Sequence, residues 1–405
     1  MSESVSLNET PRSGRLHIGL YGRRNAGKSS LVNAICGHDV ALVSEVAGTT
    51  TDPVYKSMEI HGLGPCVLID TAGFDDEGTL GALRVEKTME AVRSTDAAML
   101  LFDADAVRAG DFAEELDWLA KLRARETPVL GVLSKADLLP DASALAEKIK
   151  AETGLDVLTV SASDPAAQSR VRAALLELLP EGFVRVSLTG RLVKRGDTVL
   201  LVMPQDIQAP EGRLILPQVQ VTRDLLDHHA LVVSCAASEL DEALAALKAP
   251  PALIITDSQV FPLVYEKKPK ESRLTSFSVL MAAAKGDIRA FTDGADRLDT
   301  MTEKSRVLIA EACTHAPLAE DIGRVKIPRM LRARFGEGLT IDMTSGSDFP
   351  ADLSKYDLIV HCGACMFNRK YMLGRIAAAA DAGVAITNYG VLLAKLAGIL
   401  GKIEY

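Results

Sequence analysis

The sequence predicts an α/β protein, with a doubly wound, mostly parallel sheet followed by two smaller α/β domains. Apolar runs of strand length alternate with amphipathic helical patterns along most of the 405 residues. Two breaks, at residues 179–182 and 266–271, interrupt this alternation with proline, glycine or clustered charge. We therefore predict a disordered tail over residues 1–14, a first domain over residues 15–180, a middle domain over 181–265 and a last domain over 266–405.

The composition is that of a folded globular protein, with 48% hydrophobic and 24% charged residues. A net charge of -9 gives no overall attraction to nucleic acid or anionic lipid, so neither partner is expected. The sequence contains no apolar run of about 18 residues, which predicts the absence of a membrane span. Six cysteines without a secretory signal fit a reducing compartment, and we expect a cytoplasmic protein.

The first predicted strand, at residues 16–21, leads directly into a glycine-rich loop and then into a helical pattern. This is the G-x-x-x-x-G-K-S motif in its strand-loop-helix context, which predicts phosphate binding by backbone N–H groups. Lys28 would reach the outer phosphates, and the Ser29 hydroxyl would bind magnesium. The predicted nucleotide-binding residues of this loop are Gly22, Asn25, Ala26, Gly27, Lys28, Ser29 and Ser30.

A second motif, D-x-x-G, follows the apolar run at residues 66–69. Asp70 is predicted to act on the magnesium shell, and the Gly73 amide is predicted to bind the terminal phosphate. Phe74 follows, and an aromatic side chain cannot orient an attacking water by hydrogen bonding. The carboxylates at positions 75–77 are candidate bases for that water, or simply solvated groups.

Two further strand ends carry residues suited to recognition of a base. Lys135 and Asp137 follow the run at residues 129–133, and Ser161 and Ala162 follow the run at residues 157–160. A carboxylate at position 137 can accept two N–H donors from guanine, which adenine does not offer. These positions predict GTP as the nucleotide.

In these motifs, residues 16–179 resemble the TRAFAC-type GTPases, and most closely the MnmE family of tRNA-modification GTPases. The resemblance implies that Asn25 and the switch loop hold a potassium ion that takes the place of an arginine finger. It also implies that Thr50 holds magnesium, and that Lys28, Asn25, Thr50, Asp70 and Gly73 form the catalytic set. Ser134 stands where that family usually has asparagine.

The middle segment, residues 181–265, has apolar strand patterns and no recognisable catalytic constellation. Such a domain is a candidate for self-association, and we expect a homodimer.

Two groups of soft ligands lie in the last segment, each at the end of an apolar run. The first contains Cys313 and His315, and the second contains His361, Cys362 and Cys365. Thiolates two residues apart on a tight loop can bind one metal, and a third thiolate from another strand fixes its position. A zinc ion completed by a histidine and an iron-sulfur cluster with one open iron both fit this pattern, and thiolates alone do not choose between them.

The order of these parts along the whole chain resembles the HydF family of iron-iron hydrogenase maturation GTPases. The resemblance implies a 4Fe-4S cluster on Cys313, Cys362 and Cys365, with His315 and His361 in the same motif. It also implies a dimer that receives a di-iron subcluster from two radical S-adenosylmethionine maturases and passes it to apo iron-iron hydrogenase. The alternative is an RNA-modification or ribosome-associated GTPase with a structural zinc site, which would bind RNA in a salt-dependent way.

Overall fold

The computed structural model describes residues 12–24, 26–36, 53–60, 63–71, 79–161, 164, 166–179, 186–205, 214–312, 321–364 and 366–405. The chain divides into two compact units, the first within residues 10–185 and the second from residue 186 onward. The elements of the first unit are β1 (Leu16–Gly22), α1 (Lys28–Cys36), β2 (Val54–Ile60), β3 (Gly64–Asp70), α2 (Thr79–Ser94), β4 (Ala97–Phe102), α3 (Ala104–Ala109), α4 (Ala113–Arg123), β5 (Val129–Leu133), α5 (Ala142–Thr153), β6 (Val157–Thr159) and α6 (Ala167–Leu178).

The first unit contains a six-stranded sheet with the order β2-β3-β1-β4-β5-β6. All neighbouring strands are parallel except β2, which runs antiparallel to β3. Strands β1, β4 and β5 are buried along their whole length, because helices cover both faces of a sheet of this kind. Strand β1 lies between β3 and β4, so the chain crosses from one side of β1 to the other. Ligands bind at such switch points, beyond the carboxyl ends of the strands.

The second unit contains β7 (Thr198–Val202), α7 (Leu216–Asp227), β8 (Leu231–Cys235), α8 (Leu240–Ala246), β9 (Leu253–Thr256), α9 (Phe261–Lys267), β10 (Arg273–Ser276), α10 (Phe277–Lys285), α11 (Ile288–Ala295), β11 (Arg306–Glu311), α12 (Ile327–Phe335), β12 (Thr340–Ser345), β13 (Leu358–His361), α13 (Arg369–Asp381), β14 (Ala385–Asn388) and α14 (Tyr389–Leu396). One turn of π-helix, Ile322–Lys326, precedes α12.

Two four-stranded sheets organise the second unit, with the orders β10-β9-β7-β8 and β12-β11-β13-β14. Every pair of neighbouring strands in both sheets is parallel. In the second of these sheets the chain goes from β11 to β12 on one side and then to β13 on the other. The switch point therefore lies between β11 and β13, where Ala310 is in register with His361.

The two sheets of the second unit share one hydrophobic core. Leu200 and Ile254 of one sheet belong to the same buried cluster as Leu308 and Ile359 of the other. Helix α11 lies so close to β14 that a Cβ on Gly294 would be 1.9 Å from the Ile386 carbonyl oxygen, which explains the glycine. Strand β10 pairs with β9, so it belongs to the sheet of the middle segment although it lies beyond the boundary predicted at residues 265 and 266.

The predicted α/β class with a doubly wound parallel sheet is confirmed by these topologies. Within the described ranges, every helix is too short or too polar to span a bilayer.

Candidate functional sites

The glycine-rich loop connects β1 to α1, and Lys28 is the first residue of the helix. The Lys28 ammonium donates hydrogen bonds to the carbonyl oxygens of Gly22 and Arg23, both at 2.8 Å. Gly27 has φ +93°, and a Cβ there would lie 2.3 Å from the Ser134 hydroxyl oxygen. Only glycine fits this position, and the loop keeps the tight curl that phosphate binding requires.

The strand ends next to this loop bring Ser29 and Asp70 together. The Ser29 hydroxyl donates to Asp70 Oδ2 at 3.2 Å. The other carboxylate oxygen, Oδ1, is buried and accepts no hydrogen bond from the described residues. Burial raises the pKa of the Asp70 carboxyl, although the nearby Lys28 ammonium and the Ser29 hydroxyl lower it. A hydroxyl beside a carboxylate with an unsatisfied oxygen is a donor set that fits magnesium.

The loop that follows β5 lies against the glycine-rich loop. The Ser134 hydroxyl donates to the Ala26 carbonyl oxygen, so it joins the two loops directly. Lys135 has a left-handed backbone with φ +57°, and the next amide, of Ala136, donates to the Val160 carbonyl oxygen at 3.1 Å. The described base-recognition candidates Lys135, Asp137 and Ser161 therefore follow the ends of two adjacent strands, β5 and β6.

Arg23, a residue of the glycine-rich loop without a predicted role, anchors that loop to α4. Its guanidinium donates to both carboxylate oxygens of Glu115, at 2.8 and 3.1 Å, and to Asp111 at 2.8 Å. The Glu115 side chain is only 1% exposed. Hydrogen bonds to these carboxylates raise the pKa of Arg23 above its usual value, so the ion pair that anchors the loop persists across the physiological pH range.

In the second unit, β13 delivers His361 and Cys362 to the switch point beside β11. The Cys362 sulfur accepts the backbone N–H groups of Ala312 at 3.0 Å and of Ala364 at 3.4 Å. The Cys362 carbonyl oxygen accepts from the Asn388 amide at 3.1 Å. Backbone N–H donors on a cysteine sulfur are a common feature of iron-sulfur sites, where they tune the bound cluster.

His361 is fully buried, and the protein occupies both nitrogens of its ring. The Arg375 guanidinium, which can only donate, lies 2.8 Å from Nε2, so the proton is on Nδ1 and points to the Cys362 carbonyl oxygen at 3.0 Å. Burial, and then the Arg375 cation, lower the pKa of His361 to about 3. In this conformation His361 is a neutral residue that positions the Cys362 backbone, without a free ring nitrogen for a metal.

Several predicted site residues lie outside the described residues. They are Asn25, Thr50, Gly73 and Ala162 of the nucleotide motifs, the residues at positions 74–77, and Cys313, His315 and Cys365 of the metal motif. Within the ranges that the structure describes, no three His, Cys, Asp or Glu side chains converge as a metal-ion site. Of the three predicted cluster cysteines, Cys362 is described, and its sulfur accepts backbone N–H groups as the sulfurs of iron-sulfur sites do.

The sheet, the glycine-rich loop and the paired Ser29 and Asp70 define the class of the first unit, a P-loop GTPase domain. Residues 17–135 match the sequence model of the family described as 50S ribosome-binding GTPase, and such a domain implies GTP and Mg²⁺. Residues 188–286 match the Hydrogen maturase F dimerization domain, and residues 289–403 match the Hydrogen maturase F tetramerization domain. These two matches together span more than half of the chain, which belongs to the hydrogen maturase F (HydF) family.

Curated relatives resemble the GTPase segment. The tRNA modification GTPase MnmE of Bordetella avium (strain 197N) is 38% identical over 164 residues, which are 40% of this chain and 34% of that protein. MnmE of Chromobacterium violaceum is 35% identical over 184 residues, 44% of this chain and 39% of that protein. The matched segments thus span well under half the length of these relatives.

Among solved structures, a probable GTP-binding protein engB aligns with a TM-score of 0.34 and 17% identity, over 40% of this chain and 97% of that one. A variant of Aquifex aeolicus Era bound to GDP.AlF4- aligns with a TM-score of 0.35 and 18% identity, over 57% of this chain and 98% of that one.

Proposed function

We propose that this protein is a GTP-hydrolysing scaffold that carries an iron-sulfur cluster, receives a di-iron subcluster and delivers it to apo iron-iron hydrogenase. One observation carries the proposal. The HydF matches cover residues 188–286 and 289–403, and within the second match the Cys362 sulfur accepts two N–H bonds at the switch point of a parallel sheet. A site for an anionic cluster on three thiolates is expected at such a strand end.

In the proposed nucleotide site, GTP and Mg²⁺ bind to the first unit and GTP is hydrolysed to GDP and phosphate. The backbone of the loop from Gly22 to Ser30 and the Lys28 ammonium bind the phosphates, and Ser29, Thr50 and Asp70 hold magnesium. Asn25 binds potassium, and the Gly73 amide binds the terminal phosphate. Guanine is recognised by Lys135, Asp137, Ser161 and Ala162. The unsatisfied Asp70 oxygen beside Ser29 supports the magnesium part of this assignment.

In the proposed metal centre, Cys313, Cys362 and Cys365 hold a 4Fe-4S cluster, with His315 near it. Three thiolates leave one iron open, which supplies an exchangeable position where cargo can bind. The role proposed for His361 is to orient Cys362, because Arg375 and the Cys362 carbonyl use both of its ring nitrogens. The di-iron subcluster is a cargo and is not a resident cofactor.

The proposed partners are a second copy of the chain, two radical S-adenosylmethionine maturases and the apo-hydrogenase, all in the cytoplasm. The family domains named for dimerization and tetramerization support self-association. The resemblance of the first unit to tRNA modification GTPases supports the alternative, an RNA-linked GTPase with zinc, but in these relatives that resemblance spans less than half of this chain.

Anaerobic reconstitution with iron and sulfide tests the proposal. The dithionite-reduced protein is expected to give a 4Fe-4S electron paramagnetic resonance signal, and the Cys362→Ser, Cys365→Ser double variant is expected to lose it. Cys235→Ser is the matched control, because Cys235 is a half-buried free thiol of the same unit outside the motif. A protein that binds one zinc ion and gives no cluster signal would contradict the scaffold and favour the RNA-linked GTPase.

A further inference from the structure

The carboxyl end of α10 contacts the loop between β13 and α13. Lys285, the last residue of α10, is 8% exposed. Its ammonium donates to the carbonyl oxygens of Ala364 and Phe367, both at 3.0 Å. Ala364 and Phe367 precede and follow position 365 in the sequence, so one lysine binds described residues on both sides of a predicted cluster cysteine.

A second cation joins the same two segments, but its side chain comes from the start of α13 and binds carbonyl groups at the end of α10. Arg369, the first residue of α13, donates from Nη1 to the carbonyl oxygens of Ala284 and Gly286, at 2.6 and 2.9 Å. A cation beside the last carbonyls of a helix also complements the negative end of its dipole. The two side chains therefore hold α10 and the loop together as a reciprocal pair.

Lys285 also lies near Cys362 at the start of this loop. Lys285, Cys362, Gly363, Ala364 and Asn388 line one small pocket. A buried ammonium is costly to desolvate unless hydrogen bonds or an opposite charge compensate it. A 4Fe-4S cluster held by three thiolates, with Cys362 among them, would carry net negative charge in both its oxidised and reduced states, and a nearby ammonium would offset that charge.

We propose that Lys285 is a positioning residue of the cluster site, which fixes the turn between Ala364 and Phe367 and places a buried positive charge beside the bound cluster. The effect of the Lys285 charge on the cluster rests on the proposed function. The effect of Lys285 on the turn concerns the cluster-free protein and does not. Removal of the charge disfavours the more negative, reduced cluster, so the reduction potential falls.

The test compares Lys285→Met, which has neither charge nor donors, with Lys285→Gln, which has donors without charge. Lys268→Met is the matched control, because the Lys268 ammonium also donates to two carbonyl oxygens of the same unit, those of Pro269 at 3.1 Å and Ser272 at 2.6 Å. In the reconstituted protein, both Lys285 variants are expected to have a more negative reduction potential than the wild type. Lys268→Met is expected to keep the wild-type potential.

In the cluster-free protein, alkylation of the Cys362 and Cys365 thiols by iodoacetamide, followed by peptide mass spectrometry, reports the shape of the turn. Loss of charge-assisted hydrogen bonds of this kind weakens the closed conformation by about 1.5 kcal/mol or more, so Lys285→Met is expected to react about tenfold faster. Lys285→Gln and Lys268→Met are expected to react at nearly the wild-type rate.

Wild-type alkylation rates in Lys285→Met, or wild-type potentials in both Lys285 variants, would overturn the inference. A wild-type protein that assembles no cluster would instead overturn the proposed function, and the alkylation rates would still decide the structural role of Lys285. Far-ultraviolet circular dichroism checks that each variant is folded. If Lys285→Met is unfolded, the donor-bearing Lys285→Gln decides the outcome through its potential.

Discussion

The guanidinium of Arg375 lies inside the second unit, in contact with an imidazole and three aromatic rings. It donates to His361 Nε2 at 2.8 Å and to the Gly346 carbonyl oxygen at 2.6 Å. Its carbon lies 4.6 Å from the ring centroid of Phe349 and 4.7 Å from that of Phe367. These contacts compensate the cost of burying the cation and set the tautomer of His361. A single side chain on α13 thereby determines the chemistry available at the end of β13.

Replacement of Arg375 by methionine is expected to lower the free energy of unfolding of the metal-free protein by about 2–4 kcal/mol, since it leaves a buried carbonyl and a buried imidazole nitrogen without their donor. Urea denaturation followed by circular dichroism measures this change. The control is Arg334→Met, which removes an exposed arginine with an ion pair to Asp299 and a contact to the Phe335 ring. That variant is expected to change stability by about 0.5 kcal/mol or less. Equal effects of the two variants would contradict the role given to Arg375.

Among the secondary-structure elements, the glycine-rich loop is held by neighbours on two sides. The loop after β5 reaches it through the Ser134 hydroxyl, and α4 reaches it through Glu115 and Arg23. Each contact joins segments far apart in sequence, so the loop is preorganised by the fold rather than by its own residues. Preorganisation reduces the ordering cost of nucleotide binding.

Replacement of Ser134 by alanine is expected to weaken binding of Mg²⁺-GDP about fivefold, because one hydrogen bond worth about 1 kcal/mol no longer fixes the loop. Titration with a fluorescent GDP analogue measures the affinity. Ser94→Ala is the control, because the Ser94 hydroxyl also donates to a carbonyl oxygen in this unit, that of Ala91 at 3.1 Å, but away from the loop. An affinity in Ser134→Ala equal to that of the control would show that this contact is not needed.

Across the whole molecule, the hydrophobic clusters separate by unit. Among the described residues, the first unit has its own buried clusters on the faces of the six-stranded sheet, and the largest cluster of the second unit combines residues from both of its sheets. The middle and last segments therefore form one cooperative body in the core, even though each matches a separate family domain.

Differential scanning calorimetry is expected to resolve two transitions, of which Mg²⁺-GDP shifts only one. At a ligand concentration of 100 times Kd the stabilisation is about 2.7 kcal/mol, which corresponds to roughly 5–10 °C for a unit of this size. Lys28→Ala is expected to abolish the shift, since its ammonium is part of the loop that binds phosphate. A single transition that moves as a whole would show instead that the units unfold together.

Much of this arrangement could be predicted from sequence because strands and helices of parallel sheets have strong patterns. The run at residues 129–133 coincides with β5, and the strand predicted at residues 16–21 coincides with β1 to within one residue. Lys285 and Arg375 could not be predicted as site residues, since each looks like an ordinary polar position of a helical pattern. The carbonyl groups of Ala364 and Phe367, which Lys285 contacts, lie 79 and 82 positions further along the chain, so these contacts form only when the chain folds. The predicted cluster ligands and domain limits stay predictions.

His361 is the opposite case, a residue that the sequence does single out but whose role depends on contacts formed by folding. An imidazole next to a cysteine pair predicts a ligand, but burial and an arginine 14 positions further along make it a hydrogen-bonding support. No pattern in the sequence distinguishes the two roles, because the partner that decides between them belongs to the following helix.

The anchoring of the loop after β13 has a consequence for turnover. Its described backbone is fastened by Lys285, by Asn388 and by Asn368, whose side chain caps α13. In zinc fingers, by contrast, the metal supplies the folding energy, and release of the metal unfolds the domain. Because amide and ammonium donors of the protein hold this loop, its folding does not depend on a bound metal. Under the proposed function, such a protein would bind and release its cargo repeatedly without exposing its core to aggregation or proteolysis at each cycle.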